Sequence, residues 1–576
     1  MSTKSLDGIA PYRPRQFIPE EVDLTDPSRV RAVYEELLNR PMVTGEDVEA
    51  WLAHRSELEA AVDQAGTILY IAMTCQTDDA EKARRYKEFV QTVGPLLKDL
   101  THQLNQRFVQ APGREGLDAG RYSVYQRAVE TDLRLFVKEN IDPQTKVELL
   151  SQEYQGLCGR MTVTFRGKEH TLPEMARFLQ DPDRSTRQEA WRASARRRLQ
   201  DKEKLDDIFN QMVRLRHQMA RNAGFDDFTS YRFEALHRFD YTPEDCLAYH
   251  QAVEEEVLPI WKAIQRRRCQ QMKLDRLRPW DLSADPLGRP ALKPFSRVEE
   301  LIQGCQTIFG RIDTELGEQF KRIAADGLLD LRSRPGKAPG GYQSTLHEAR
   351  KPFIFMNAVG LDSDVRTLLH EGGHAFHALA CAGEPLLDYR HAPIEFCEVA
   401  SMSMELLADP HLTVFYSEQD AERSRLSHWE DVIAVLVWVA TVDAFQHWIY
   451  AHPRHTPSER NAAWRQILDR FATGEVDWGG LEEERAYWWH RQLHIFEVPF
   501  YYIEYGIAQL GALGVWLNAR KDPAAAMDAY RRALALGGSR PLPELFQAAN
   551  IPFSFSKETM RPLMRAVEKE LALFQK

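Results

Sequence analysis

Apolar residues recurring at steps of three and four dominate this chain, and that period restricts it to folds built from packed helices. The clearest run is Tyr86, Phe89, Val90, Val93, Leu96, Leu97, Leu100, Leu104 and Phe108, one apolar stripe on one long helix. Pro95 lies within it and predicts a kink, because proline removes a backbone donor and clashes with the preceding turn. Thr242-Pro-Glu-Asp245 and Thr456-Pro-Ser-Glu459 are helix starts: an N-cap Thr, Pro at the first helical position, and an acid three residues after the cap. Asp522-Pro523 opens another helix, which Gly537-Gly538 closes. Strand signals are few. Residues 161–172 read as a hairpin turning at Arg166-Gly167-Lys168, and Phe353 to Met356 as a short strand reached through a flexible loop, Gly336 to Gly341. The expected fold class is mainly α with one small β element.

With 576 residues the chain is long enough for several domains, yet no linker or internal repeat marks a boundary. The division expected is an N-terminal helical region over 1–180 and a larger body over 181–576. Hydrophobic residues at 43% and charged residues at 28% exclude a disordered chain. A net charge of −11 gives no global electrostatic case for binding nucleic acid or anionic lipid. The arginine triplets 196–198 and 266–268 accordingly read as solvated faces. Seven scattered cysteines with no C-x-x-C pair indicate neither a disulfide framework nor a cysteine zinc site. The N-terminal residues carry no apolar h-region. The longest apolar run, Val432 to Ala440, is too short for about 30 Å of hydrocarbon and reads as a buried helix. A soluble, cytoplasmic protein is the expectation.

The chemistry concentrates at His370-Glu371-Gly372-Gly373-His374, an H-E-x-x-H match in a helical setting that Asp362 or Ser363 is placed to cap. Residues i and i+4 share a helix face, so His370 and His374 can present two imidazoles to one ion. Glu371, offset by about 100°, is then free to hold a water without ligating the metal. Zinc in a catalytic site takes a third protein ligand. Ala380 occupies the position of a metzincin third His. His377 shares the face, but three histidines on one straight helix rarely converge on a small ion. Glu384 follows the helix end too closely to fold back, which leaves Glu395, Glu398 and Glu405 on the next apolar-periodic segment, Ile394 to Leu407.

HEGGHAFH followed by EFCEVASMSMELL resembles the thimet oligopeptidase and oligoendopeptidase F family of zinc peptidases, on the oligoendopeptidase F side. That family's pattern continues as E-x-x-S-x-x-x-E, matched by Glu398, Ser401 and Glu405. The resemblance implies Glu398 as third ligand to one Zn2+, and Glu405 as an acid orienting a ligating imidazole. The competing assignment takes Glu405 as ligand and Asp409 as its partner. GKAPGGYQ and PFIFMN before DVRTLLHE are similar to the family's Gly-rich loop, edge strand and active-site helix. His494-Ile-Phe-Glu-Val-Pro-Phe-Tyr-Tyr-Ile-Glu-Tyr505 is similar to its tyrosine-rich segment, which otherwise reads as core packing. On the resemblance, His494, Tyr505, Tyr502 and possible partner Tyr501 bind the oxyanion and the peptide, with Glu371 as general base.

The likeness further implies a two-lobed helical metallopeptidase enclosing a deep substrate channel, with the β element beside the active-site helix. Short peptides would enter and be cut internally. The alternatives are a peptidyl-dipeptidase on the same fold and a non-catalytic zinc- or peptide-binding scaffold.

Overall fold

Helices carry most of the chain, as the apolar period requires. A computed structural model describes residues 6, 8–334, 336–338 and 340–574. Two compact units are built from interleaved stretches. The first comprises 1–133, 293–422 and 511–553; the second comprises 134–292, 423–510 and 554–576. The division at 180/181 is one of sequence order, whereas these units are discontinuous.

In the first unit, helices Pro27–Leu38, Gly45–Cys75 and Ala80–Val109 share a core that also takes in Leu386 and Tyr389, just beyond the HEGGH helix. Tyr389 fastens this junction: its hydroxyl donates to the Arg121 carbonyl (2.8 Å) and accepts from the Tyr125 N–H (3.2 Å). The long stripe is buried at Val93, Leu96, Leu100, Leu104 and Phe108, while Val90 at its N-terminal end is 48% exposed. The helix continues through Pro95.

Two β elements are present where one was expected. The hairpin pairs β1 (Thr162–Phe165) with β2 (Lys168–Thr171), and lies in the second unit. Arg166 and Gly167 both have positive φ, the geometry that a two-residue turn between twisted strands needs. The first unit holds a three-stranded sheet of β3 (Leu329–Arg332), β4 (Tyr342–Leu346) and β5 (Lys351–Ala358), in the order β3-β5-β4. The strand PFIFMN is therefore not an edge strand. It is β5, central, parallel to β3 and antiparallel to β4, with Pro352 to Met356 buried. The two edges belong to β3 and β4; in β4, Tyr342 to Thr345 are partly exposed and carry little apolar alternation, so no strand was expected there.

The Gly336–Gly341 loop is anchored rather than free. The Lys337 side chain is buried, and its ammonium donates to Asp330 Oδ1 (2.9 Å) and to the carbonyls of Asp330, Arg332 and Met356. Residue 339 of that loop, like the start of the N-terminal segment, lies outside the described residues.

The second unit contains the capped helices Pro243–Ala252 and Pro457–Arg470, both closed by the expected Thr capping boxes. Glu418–Ala451 is, among the described residues, the one helix long and apolar enough to cross a bilayer; 72% of its apolar window is buried inside the protein. Val432, Ile433, Leu436, Val439 and Ala440 are core residues there, as their run predicts. The second arginine triplet is not a solvated face. Arg267 and Arg268 are mostly buried and both pair with Glu430.

Candidate active site

The HEGGH helix, Asp362–Ala380, follows directly from the central strand β5. Its cap is neither Asp362 nor Ser363. Asp364, three residues after the cap position, accepts the N–H groups of Val359, Gly360 and Leu361 at 2.8, 2.8 and 2.9 Å. One carboxylate oxygen thus gathers three otherwise unpaired donors and fixes the angle at which the chain turns from strand to helix. Asp362 instead accepts from the Tyr416 hydroxyl (2.5 Å).

The second wall is the helix Ile394–Ala408, which carries Glu398 and Glu405. The two helices approach closely because residue 373 has no side chain. A Cβ there would fall 2.6 Å from Ser401 Cα and 2.7 Å from the Ala400 carbonyl oxygen. Gly372 faces the other way, against the buried Phe309 ring.

This contact brings His370, His374 and Glu398 together, with their ligand atoms within 4.8 Å of one another. Glu398 Oε2 lies 3.4 Å from His370 Nε2 and 3.7 Å from His374 Nε2. A tetrahedral ion with bonds of about 2.0–2.1 Å holds its ligand atoms about 3.4 Å apart, so the set fits such an ion with little adjustment. The outer atoms are held as well. His370 Nδ1 is 2.7 Å from Glu405 Oε1, which turns Nε2 toward Glu398. The Ser401 hydroxyl donates to Glu398 Oε2 (2.9 Å).

Glu405 thus meets the Nδ1 side of His370 and lies outside the group formed by His370, His374 and Glu398, whereas the competing assignment takes it as ligand with Asp409. Asp409 pairs with the buried Arg366. Glu384 pairs with Arg121, and His377 is buried beside Phe396. Glu395 is buried outside the ligand group.

Electrostatics follow from this crowding. Burial opposes charge on His370, yet its hydrogen bonds to the Glu398 and Glu405 carboxylates outweigh it and hold its pKa well above the usual value. Burial pushes His374 down to about 4. Burial also works against ionised Glu398, but the two imidazoles keep it below the ordinary carboxylate range. Two acids thus converge on one imidazole, a concentration of negative charge suited to a cation. Glu371 stands apart from the ligands. Burial raises its carboxyl to about 7, aided by the Glu398 and Glu405 charges and opposed by His370 and by the Gln343 backbone N–H on β4. A carboxyl with that value at neutral pH can both take and give a proton.

The remaining predicted residues cluster in the second unit. His494 has Tyr502, Tyr505 and Tyr501 around it, with ring centroids at 4.9, 5.8 and 6.0 Å. The Tyr505 hydroxyl lies 3.5 Å from His494 Nε2, and the Gln492 amide donates to His494 Nδ1 (2.8 Å). Gln492 is fixed in turn by Trp438 Nε1 (3.0 Å). The turn before the tyrosines is strained, with Phe500 at φ 65°. Buried Arg238 clamps it by donating to the Phe500 carbonyl (2.5 Å) and to Glu504 (2.6 Å). Sequence reasoning missed Arg238, Gly373 and Asp364, whose partners are distant in the chain or are backbone atoms.

Fold and site together define a mainly helical protein whose H-E-x-x-H histidines meet a glutamate from the next helix in a group that could hold a metal ion. The model of Peptidase family M3 matches residues 177–564, and that of the Peptidase M3 N-terminal domain matches 19–136. The chain belongs to peptidase family M3, and the likeness to oligoendopeptidase F seen in its motifs holds. It is 24% identical over 266 residues to Oligopeptidase PepF of Bacillus subtilis (strain 168), covering 44% of this chain and 39% of that protein. It is 21% identical over 387 residues to an Oligoendopeptidase F homolog of Borreliella burgdorferi, covering 64% and 62%. The matched stretches thus span less than two thirds of these curated relatives. Among solved structures, PZ peptidase A with an inhibitor is similar at a TM-score of 0.89 and 28% identity, over 97% of this chain and 99% of that one.

Proposed function

We propose that the protein is a zinc-dependent oligoendopeptidase, hydrolysing internal bonds of short peptides. The observation that carries this reading is the convergence of His370, His374 and Glu398 beside a buried acid, Glu371, that is not part of the ligand set. A zinc ion that only braces the fold has no use for such an acid beside it. Membership of a peptidase family supports the same reading.

His370 Nε2, His374 Nε2 and Glu398 would hold the ion, with Glu405 fixing the first imidazole and Ser401 the carboxylate. Zinc supplies Lewis acidity, which polarises a carbonyl and acidifies water. Glu371 accepts a proton from the attacking water and passes it to the departing amine; its raised pKa suits both transfers. To Tyr505, with His494, we assign a hydrogen bond to the oxyanion that forms on the scissile carbonyl, and to Tyr502 contact with the peptide. The outward edge of β4 offers main-chain groups with which an extended peptide can pair, giving binding that depends little on side chains.

The test is a pair of variants. Glu371→Gln is expected to keep its metal and lose peptide hydrolysis, whereas His374→Ala loses both. Near-normal turnover by Glu371→Gln would remove the general-base assignment.

A further inference from the structure

A polar cluster that this chemistry leaves unused lies inside the second unit. Two helices each carry an i, i+4 pair of metal-binding side chains: Cys246 and His250 on Pro243–Ala252, Asp443 and His447 on Glu418–Ala451. That spacing sets each pair on one helix face. The ligand atoms of Cys246, Asp443 and His447 lie within 4.8 Å of one another. Asp443 Oδ2 is 2.8 Å from His250 Nε2 and 3.3 Å from His447 Nε2. Cys246, His250 and Asp443 are wholly buried, and the His447 side chain is 13% exposed. Asp443 Oδ1 and His447 Nε2 are buried atoms without a hydrogen-bond partner. An unmet buried acceptor of this kind costs about 1–3 kcal/mol, so the cluster is incomplete as a hydrogen-bond network.

We propose that Cys246, Asp443 and His447 form a second metal site, structural in role, for a divalent ion of the zinc class. The donors decide the class of ion. A thiolate with an imidazole selects zinc-like ions over calcium or magnesium, which take oxygen ligands. Charge balances too: one thiolate and one carboxylate match a 2+ ion, so the buried assembly is neutral. The thiol proton leaves to solvent on binding. His250, hydrogen-bonded to the carboxylate, holds Asp443 in place, and Asp443 Oδ1 is a further donor atom. Rings of Phe500 (5.0 Å from His447) and Phe233 close over the cluster, and burial leaves no path for a peptide. The ion would staple the two helices. This is one ion more than the sequence implied.

The test uses the full chain with His370→Ala and His374→Ala, which removes both imidazoles of the first site. After zinc loading and exhaustive dialysis, elemental analysis should find about one retained ion per chain. Adding Cys246→Ser or His447→Gln should weaken retention at least tenfold. Loss of all zinc from the doubly substituted chain would overturn the proposal. If the added substitutions prevent folding, cobalt loading of the unsubstituted chain decides. The first site contains no thiolate, so a thiolate-to-cobalt charge-transfer band is expected from Cys246, and its absence would equally overturn the proposal.

Discussion

Gly373→Ala isolates the helix contact on which the proposed metal site depends. The added Cβ would lie 2.6 Å from Ser401 Cα and 2.7 Å from the Ala400 oxygen, about 0.8 Å short of ordinary contact. Both obstacles are backbone, so relief requires the helix carrying Glu398 to move away. Glu398 lies three residues before Ser401 on that helix, and metal–ligand bonds tolerate only about 0.2 Å. Overpacking costs about 1–3 kcal/mol, against which alanine's better helix propensity returns roughly 1 kcal/mol. Net destabilisation should therefore be modest, while metal affinity falls by roughly 10–100-fold, as when the support of a ligand is lost. Competition with a chelator of known affinity measures the second quantity, and denaturant unfolding the first. Gly372→Ala is the control. Its Cβ would meet the Phe309 ring rather than a backbone, so stability should fall with metal affinity little changed. A Gly373→Ala chain that binds zinc as tightly as the unsubstituted one would refute the argument that this contact sets the position of Glu398.

Other outcomes follow from particular contacts. Glu405→Ala removes the acceptor of His370 Nδ1 and should lower metal affinity roughly 10–100-fold with the fold intact, as read by the same competition. Tyr505→Phe should lower kcat by about 100- to 1,000-fold without changing metal content, if its hydroxyl meets the oxyanion. Asp330→Asn leaves the buried Lys337 ammonium without its carboxylate and should destabilise the protein by about 3–5 kcal/mol in denaturant unfolding. The pH dependence has a definite sign. Burial works against the Asp330 charge, but hydrogen bonds from Arg334, Cys75 and Lys337 hold its pKa at about 2 in the folded protein. Its contribution, roughly 2 kcal/mol, is present above pH 4 and lost as pH falls toward 2. The Asn variant should lack that acid-side loss.

What the sequence made legible divides by the range of the interaction. His370, Glu371 and His374 were readable because helix geometry alone puts them on adjacent faces. Glu395, Glu398 and Glu405 were all candidates on the next helix, and only a family likeness singled out Glu398, since the convergence rests on Gly373 meeting the backbone of Ser401. The capping boxes at Thr242 and Thr456 were local and appeared as expected. Asp364 was missed because a cap that gathers three N–H groups from a preceding turn leaves no more trace than its neighbour Asp362. β4 was missed because Gln343, Ser344 and Thr345 lack the apolar alternation of a half-buried strand. Lys337 shows why a Gly-rich loop is a poor sign of freedom: one buried ammonium overrides three glycines. The pairs Cys246/His250 and Asp443/His447 have the same i, i+4 spacing as HEGGH, and that spacing was the available signal.

The central claim is that a metal held by His370, His374 and Glu398 drives cleavage within short peptides. It is tested most directly by mapping cuts in a peptide library by mass spectrometry, before and after chelation and after zinc is restored. Internal cuts that vanish with the metal and return with it are expected. Undiminished cleavage by the metal-free chain, or no cleavage by the zinc-loaded one, would contradict the claim.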